Sequence, residues 1–164
     1  MQARTGVALD PQAFTLGFAR RAAVYKRADL LFTEPDRLAA IAERVGPVQC
    51  VFAGNAHPAD AAGAEVIRRV FAAAERLQGR LAVVYVADYE VEFAKLMCAG
   101  ADIWLNTPQK PYEASGTSGM KAAVNGVPSL STMDGWWIEG SQDGPTPWNT
   151  GATARASAGW SSER

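Results

Sequence analysis

Residue types that mark several functional classes are scarce in this sequence. A single histidine, His57, does not supply enough ligands for a metal site. We expect it to stiffen the loop before Pro58 or to form a hydrogen bond there. The two cysteines, Cys50 and Cys98, lie in apolar segments and lack the spacing of a metal site or a redox pair. We therefore expect no metal, and two buried, reduced thiols.

An excess of one charge and a long apolar run are also missing. The 164 residues carry 16 Lys plus Arg and 17 Asp plus Glu, so we expect no binding to nucleic acid or to an anionic membrane. No apolar run approaches the roughly 20 residues that span a bilayer, and residues 1–14 lack a signal-peptide pattern. The 48% hydrophobic content suits one globular domain with a core, which we expect to be cytoplasmic.

Short apolar segments alternate with longer segments of helical periodicity. Strands are predicted at 14–18, 48–53, 81–86, 103–105 and 129–133. Helices are predicted between them, at 30–45, 64–77, 90–98 and 120–125. Repeated βα units of this kind, with right-handed crossovers, predict the α/β class and a doubly wound parallel sheet.

The predicted domain occupies residues 14–148. A lead-in, 1–13, precedes it, and the tail, 149–164, is dominated by Thr, Ala, Ser, Gly and Arg. Because that composition offers little apolar surface to bury, we expect the tail to be disordered. Within the domain, Asp60 predicts the N-cap of the second helix and Gly79 predicts its end.

Sheets of this kind bind ligands beside the carboxyl ends of their strands. The loops predicted at that edge are 20–27, 55–60, 88–89, 107–121 and 134–140. The first strand runs into Gly17-Phe-Ala-Arg20 rather than GxGxxG, and the chain has no GxxxxGK followed by Ser or Thr. The sequence therefore predicts neither a dinucleotide fingerprint nor a P-loop.

The most informative segment is 113–121, which holds an acid, a glycine-rich turn and a lysine at the start of a predicted helix. Glycines let the backbone approach an anion, and a helix start supplies unpaired N–H donors. Lys121 lies about one turn into that helix, from where its amine could reach the anion or bond to an aldehyde. These residues alone leave two interpretations: an anion site with a Schiff-base lysine, or a loop capped by Ser115 or Thr117 with a solvated lysine behind it.

Four segments carry a resemblance to one enzyme family, and they are 17–27, 52–60, 106–126 and 134–140. Together they resemble the C-terminal nucleotide-fold half of an α-glucan (glycogen, starch or maltodextrin) phosphorylase, closest to the shorter bacterial and archaeal type. The resemblance implies one Rossmann-like half of a two-domain glycosyltransferase-B architecture. It also implies an enzyme that splits α-1,4-glucan or maltodextrin with inorganic phosphate, releases glucose 1-phosphate and uses pyridoxal 5′-phosphate.

The same resemblance implies which residues bind the cofactor. Lys121 matches the Schiff-base lysine, and Tyr89 matches an aromatic residue that packs beside the cofactor. The residues that match contacts to the cofactor phosphate are Arg20, Gly116, Thr117 and Ser118. A cofactor phosphate is chemically suited to relay a proton, since its second pKa lies near about 6.

Catalytic and substrate-binding roles follow from the resemblance in the same way. Arg21 and Lys26 match the pair that binds substrate phosphate and supports the developing oxocarbenium–phosphate ion pair. With Lys121 they form the implied catalytic set. The residues that match contacts to glucose hydroxyls are Glu113, Ser115 and Gly116.

Structural roles remain open for several of these residues. The basic residues of 20–27 also fit a solvated face, and Tyr89 also fits a core position at the end of a strand. Trp136 and Trp137 are expected to fill a gap against a neighbouring domain, and we place them outside the site.

The chain departs from the family in its extent. Family members have two facing nucleotide folds, whereas this sequence has one, so we expect a fragment that needs an N-terminal domain, or a homo-oligomer, for activity. Asn55 and Ala64 stand where lysines are usual. Two other functions remain open: a module that binds pyridoxal phosphate without cleaving glucan, and half of a glycosyltransferase that uses nucleotide sugars.

Overall fold

A computed structural model of the chain describes residues 5–87 and 89–141 and the backbone of 149–150. Within these residues, six strands form one parallel sheet in the order β3-β2-β1-β4-β5-β6. The strands are β1 (Phe14–Ala19), β2 (Val48–Ala53), β3 (Ala82–Val86), β4 (Ile103–Asn106), β5 (Ser129–Thr132) and β6 (Asn149–Thr150). The prediction of a doubly wound α/β sheet is therefore confirmed.

The α-helices of the described residues are α1 (Pro35–Val45), α2 (Ala61–Arg76), α3 (Val91–Gly100), α4 (Thr117–Val124) and α5 (Trp137–Gly140). The prediction of a single helix over 30–45 is wrong. A short 3-10 helix, Leu30–Phe32, comes first, and α1 begins only at Pro35. Proline lacks an N–H and disfavours helical geometry in the preceding residue, and Glu34 accordingly has φ −126° and ψ 70°.

The start of α2 shows how a cap outweighs apolar periodicity. The side chain of Asp60 accepts a hydrogen bond from the Gly63 N–H at 2.8 Å, which confirms the predicted N-cap. The helix begins at Ala61, earlier than predicted, because its alanines and glycine give little periodic signal. The helix ends at Arg76 with Leu77 as its C-cap, and Gly79, with φ 81°, lies in the turn that follows rather than at the helix end.

The sheet has an apolar cluster on each face. On one face α1 and α2 pack over β1 and β2, where Phe18 stacks on Phe52 with ring centroids 5.3 Å apart. On the other face α3 and α4 cover Trp104, which is fully buried. Trp104 lies across Gly17, where an added Cβ would stand 3.2 Å from its ring. Burial of such side chains stabilises the sheet by about 25 cal/mol per Å² of apolar surface.

The order of the strands places the site. The chain runs outward from β1 through β2 to β3, and then returns to the other side of β1 with β4 and β5. Loops that follow β1 and β4 therefore diverge at their carboxyl ends and open a crevice, which is where doubly wound sheets bind ligands.

Three further expectations concern the surroundings of this sheet. Cys50 and Cys98 are both buried and not disulfide-bonded, as expected. None of the described helices is long and apolar enough to cross a membrane. The predicted tail, 149–164, lies outside the described residues except for the backbone of Asn149–Thr150, which pairs with β5.

Candidate functional site

Arg20 directly follows β1, and its side chain crosses the crevice to the β4 side. Its Nη1 donates to Oδ1 of Asn106 at 2.6 Å, and its Nη2 donates to Oε2 of Glu113 at 2.5 Å. The residue is 7% exposed, so its charge is almost fully removed from water. A buried charge is stable only when it is paired, and Glu113 supplies the pairing.

Lys26 reaches the same carboxylate from the 3-10 helix Val24–Lys26. Its Nζ donates to Oε2 of Glu113 and lies 4.6 Å from the ring centroid of Tyr25. Burial tends to raise the pKa of Glu113, but the hydrogen bonds and charges of Lys26 and Arg20 outweigh it and hold that pKa below its usual value. Arg20, Lys26 and Glu113 thus form a buried ion triad.

Two residues that the sequence did not single out hold the triad in place. The backbone N–H of Glu113 donates to Oδ2 of Asp134 at 2.9 Å, and Asp134 is itself buried after β5. Asn106, at the end of β4, donates from Nδ2 to Oγ of Ser131 at 2.7 Å. These hydrogen bonds connect the ends of three neighbouring strands through one buried polar network.

The glycine turn lies directly on this triad. Gly116 has φ 90° and is the N-cap of α4, with no side-chain cap. The alternative in which Ser115 or Thr117 caps the helix is therefore wrong, because the left-handed backbone at Gly116 turns the chain by itself. A Cβ added to Gly116 would stand 3.6 Å from Nη2 of Arg20 and 3.7 Å from Cγ of Glu113.

The first turn of α4 offers several hydrogen-bond donors. The N–H groups of Thr117 and Ser118 have no helical carbonyl to bond, as in any first turn. Oγ of Ser118 and Nε1 of Trp136 are buried and have no partner among the described residues. Donors gathered at a helix start suit an acceptor-rich anion such as phosphate.

Lys121 lies on the exposed surface of α4, beyond this turn. Its charge counteracts the burial that raises the pKa of the Cys98 thiol on α3. Tyr89 is half-buried, its ring meets that of Phe93 edge to face, and burial raises its pKa to about 12. Lys121 thus lies near α3 with its side chain exposed, and Tyr89, with a protonated phenol, lies beside the same helix.

The basic residues after β1 divide into two kinds. Arg20 and Lys26 are buried, so the interpretation of a solvated basic face is wrong for both, whereas Arg21 is exposed. Arg27 is half-buried, and its guanidinium donates to the carbonyls of Thr107 and Pro108 at 2.8 and 3.0 Å. Arg27 therefore fastens the loop after β4 to the loop after β1.

The remaining residues considered in the sequence analysis are Ser115, His57 and Asp88. The carbonyl of Ser115 accepts a hydrogen bond from the backbone N–H of Trp136 at 2.9 Å, and its hydroxyl faces Sδ of Met120. His57 accepts from the Ala59 N–H at 3.1 Å, a local bond within its loop. Asp88 lies outside the described residues, and within them no cluster of His, Cys, Asp or Glu is suited to a metal ion.

Trp136 lies beside the glycine turn, a contact that the sequence analysis did not predict. It was expected to fill a gap against a neighbouring domain and was left outside the site, and Cδ1 of its indole lies 3.4 Å from a Cβ added to Gly116. Trp137 is 3% exposed and does pack as a buried side chain. The strand order provides the missing signal, since it brings the loop after β5 next to the loop after β4.

Comparison with known proteins gives a consistent result. Residues 1–143 match the carbohydrate phosphorylase family. The chain is 48% identical over 147 residues to a glycogen phosphorylase of Aquifex aeolicus, which covers 89% of this chain and 21% of that protein. It is 45% identical over 144 residues to a maltodextrin phosphorylase of Thermococcus litoralis, covering 87% of this chain and 17% of that protein.

Further relatives show the same partial coverage. A glycogen phosphorylase of Mycobacterium tuberculosis is 44% identical over 142 residues, which is 86% of this chain and 16% of the relative. The chain therefore spans about a fifth of the length of the curated relatives it matches. The family resemblance expected from the four sequence segments is confirmed.

Proposed function

Because the chain belongs to the carbohydrate phosphorylase family, we propose that it is the part of an α-1,4-glucan phosphorylase that holds pyridoxal 5′-phosphate and the substrate phosphate. The relatives' names, glycogen phosphorylase and maltodextrin phosphorylase, support an α-glucan as the sugar substrate. The proposed reaction transfers a glucosyl unit from the glucan to inorganic phosphate and yields glucose 1-phosphate. The rest of the enzyme supplies the remaining glucan contacts.

One observation carries this proposal: the glycine turn of α4 lies against a buried pair of cations. Gly116 is within van der Waals reach of the Arg20 guanidinium, and Lys26 shares the carboxylate that holds Arg20. Backbone donors and buried cations converge where two phosphate groups would have to lie side by side. Positive charge in that position offsets the repulsion between them.

The residues present fit the cofactor. Gly116, Thr117 and Ser118 offer donors for its phosphate, together with Arg20, and the unpaired Ser118 hydroxyl is one of them. Lys121 offers an exposed primary amine on the same helix for its aldehyde, and the aromatic ring of Tyr89 flanks α3 nearby. Bound there, pyridoxal phosphate supplies a phosphate that can exchange a proton near neutral pH, since its second pKa is about 6.

The substrate phosphate is assigned to Arg21 and Lys26. Arg21 is exposed in the loop after β1 and adds a positive charge that attracts the anion. Lys26 is buried and fixed by Glu113, so its ammonium needs no reorganisation when negative charge develops nearby. Both residues stabilise the ion pair that forms as the glycosidic bond breaks.

Glu113 combines two tasks in this assignment. Both cations bind Oε2, which leaves Oε1 to accept a hydrogen bond from a glucose hydroxyl. Ser115 and the backbone at Gly116 adjoin the same space and complete the proposed sugar contacts. The carboxylate therefore orients the sugar with respect to the phosphate-binding cations.

Labelling of Lys121 tests the cofactor assignment. We expect the chain, saturated with pyridoxal 5′-phosphate and reduced with borohydride, to carry the pyridoxyl label on Lys121 by peptide mass spectrometry. Lys121→Arg keeps the charge and should abolish the label, whereas Lys95→Arg, on the exposed surface of α3, should leave it unchanged. Label spread over other lysines, or retained in Lys121→Arg, would contradict the assignment.

Two other functions are separable by further measurements on the same protein. A module that binds pyridoxal phosphate without cleavage would be labelled at Lys121 but release no glucose 1-phosphate from maltodextrin, and we expect this behaviour from the chain alone. A nucleotide-sugar glycosyltransferase would bind ADP-glucose or UDP-glucose in competition with phosphate. The accessible amine of Lys121 favours the phosphorylase assignment, because a nucleotide-sugar enzyme has no need of an aldehyde-reactive group there.

A further inference from the structure

The indole of Trp136 lies along the first turn of α4. A Cβ added to Gly116 would stand 3.4 Å from its Cδ1, and one added to Gly119 would stand 3.2 Å from its Nε1. The far edge of the ring lies beside Gly140, where an added Cβ would collide at 2.4 Å. Trp137 packs against it edge to face with centroids 5.2 Å apart. Packing on both sides therefore holds the indole ring beside the first turn of α4.

That N–H is buried and has no acceptor within the part of the chain that the structure describes. An indole nitrogen only donates, and it normally has a partner when it is buried. The Oγ of Ser118, one residue before Gly119, is buried and unpaired as well, and the N–H groups of Thr117 and Ser118 in the first turn lack helical acceptors. An anion with several acceptor oxygens would satisfy these donors together.

We propose that Trp136 donates its indole N–H to the phosphate group that binds at the first turn of α4. This inference rests on the proposed function for the source of that phosphate, which is the cofactor or the inorganic ion. The indole adds a neutral, pH-independent donor to the Ser118 hydroxyl, the backbone N–H groups and the charged residues of this site. It thereby orients the phosphate with respect to Arg20, which adjoins Gly116 on the same turn.

Replacement of the indole by a benzene ring tests the inference. Trp136→Phe keeps an aromatic ring in the packing but removes the donor. We expect about tenfold weaker binding of inorganic phosphate and of pyridoxal 5′-phosphate by calorimetry, as for loss of one hydrogen bond to a charged group. Binding of pyridoxal, which has no phosphate, should be unchanged. Ser118→Ala is the parallel variant and should weaken the same two ligands.

A measurement on the unaltered chain makes the test independent of folding of the variant. The assigned Nε1–H resonance of Trp136 should shift downfield when inorganic phosphate is added, and should not respond to the same ionic strength of chloride. A resonance that stays in place at saturating phosphate overturns the inference. So does equal phosphate affinity in Trp136→Phe and the wild type.

The remaining outcomes separate this inference from the proposed function. Equal losses for pyridoxal and pyridoxal phosphate in Trp136→Phe would show a packing role and overturn it. Phosphate binding that depends on Trp136, without borohydride labelling of Lys121, would support the inference and refute the cofactor assignment. Labelling of Lys121 together with phosphate binding that does not depend on Trp136 would support the cofactor assignment and overturn the inference. Absence of any phosphate binding by the wild type would overturn the inference.

Discussion

Glu113 and Asp36 each hold two cations, in opposite surroundings. Glu113 is 8% exposed, and its partners are likewise buried at the crevice. Asp36, on α1, has 67% of its side chain exposed and binds two arginines from α2 and the turn after it at 2.6 and 2.9 Å. The arginines are Arg76 and Arg80. The number of ion pairs is the same, but their physical consequences differ.

The difference lies in what water does for each charge. Around Asp36 the solvent screens every charge, so its ion pairs change stability little. Around Glu113 the charges are desolvated and depend on each other, so that loss of one member leaves the others without compensation. Replacement of buried ion pairs by apolar side chains of similar volume is often neutral or stabilising in proteins, and we therefore interpret the buried triad as serving ligand binding rather than stability.

Removal of each carboxylate should give the largest contrast. We expect Glu113→Ala to lower the free energy of unfolding by about 3–5 kcal/mol, because two buried cations lose their anion. Asp36→Ala serves as the matched control and should leave the urea midpoint close to that of the wild type. Similar midpoints for the two variants would show that water reaches the triad and that the contrast drawn above is wrong.

Local sequence signals were sufficient for part of the site. The turn at Gly116 and the amine of Lys121 lie in one contiguous segment, where glycine spacing and a helix start are visible in the sequence. The strands, too, are local apolar runs, and right-handed crossovers between them predict the doubly wound class of the sheet. Pro35, in contrast, was visible but was outweighed by apolar periodicity, and the single helix over 30–45 was wrongly predicted for that reason.

Contacts between distant residues could not be predicted in the same way. Arg20 and Glu113 are 93 residues apart in sequence, and only the strand order brings them together. Whether Arg20 would be buried or solvated depended on that pairing. The position of Trp136 depended on the same order, since the loops after β4 and β5 become neighbours only in the folded sheet.

Gly116 and Gly79 both have left-handed backbones, so comparing an alanine substitution at each separates its cost in stability from its effect on phosphate binding. The effects expected here are smaller than that of Glu113→Ala. Gly116 has φ 90° and Gly79 has φ 81°, so alanine at either position should cost about 1–2 kcal/mol in unfolding free energy. Gly79 has open space around it, whereas Gly116 adjoins Arg20 and the indole of Trp136. We expect only Gly116→Ala to weaken phosphate binding as well, measured by calorimetry beside urea unfolding. Equal phosphate affinity in both variants would remove Gly116 from the site.

The smallest expected effects are the responses of the two carboxylates to acid and salt. The folded-state pKa of both is lowered, for Asp36 chiefly by its hydrogen bond to Arg76, and for Glu113 by Lys26 and Arg20 against the opposing effect of burial. Each therefore adds stability that is present above its unfolded pKa, about 3.9 for Asp and 4.3 for Glu, and is lost as the pH falls through the folded value.

Neutral variants isolate these contributions. The unfolding free energy of the wild type minus that of Glu113→Gln or Asp36→Asn should shrink below about pH 4 in both cases. At about 1 M salt, where the screening length falls to about 3 Å, the difference for Asp36→Asn should disappear at neutral pH. The difference for Glu113→Gln should persist, because ions do not enter the buried triad. Equal sensitivity to salt would mean that Glu113 is solvated like Asp36, and the triad would then lack the low-dielectric setting that the proposed phosphate site requires.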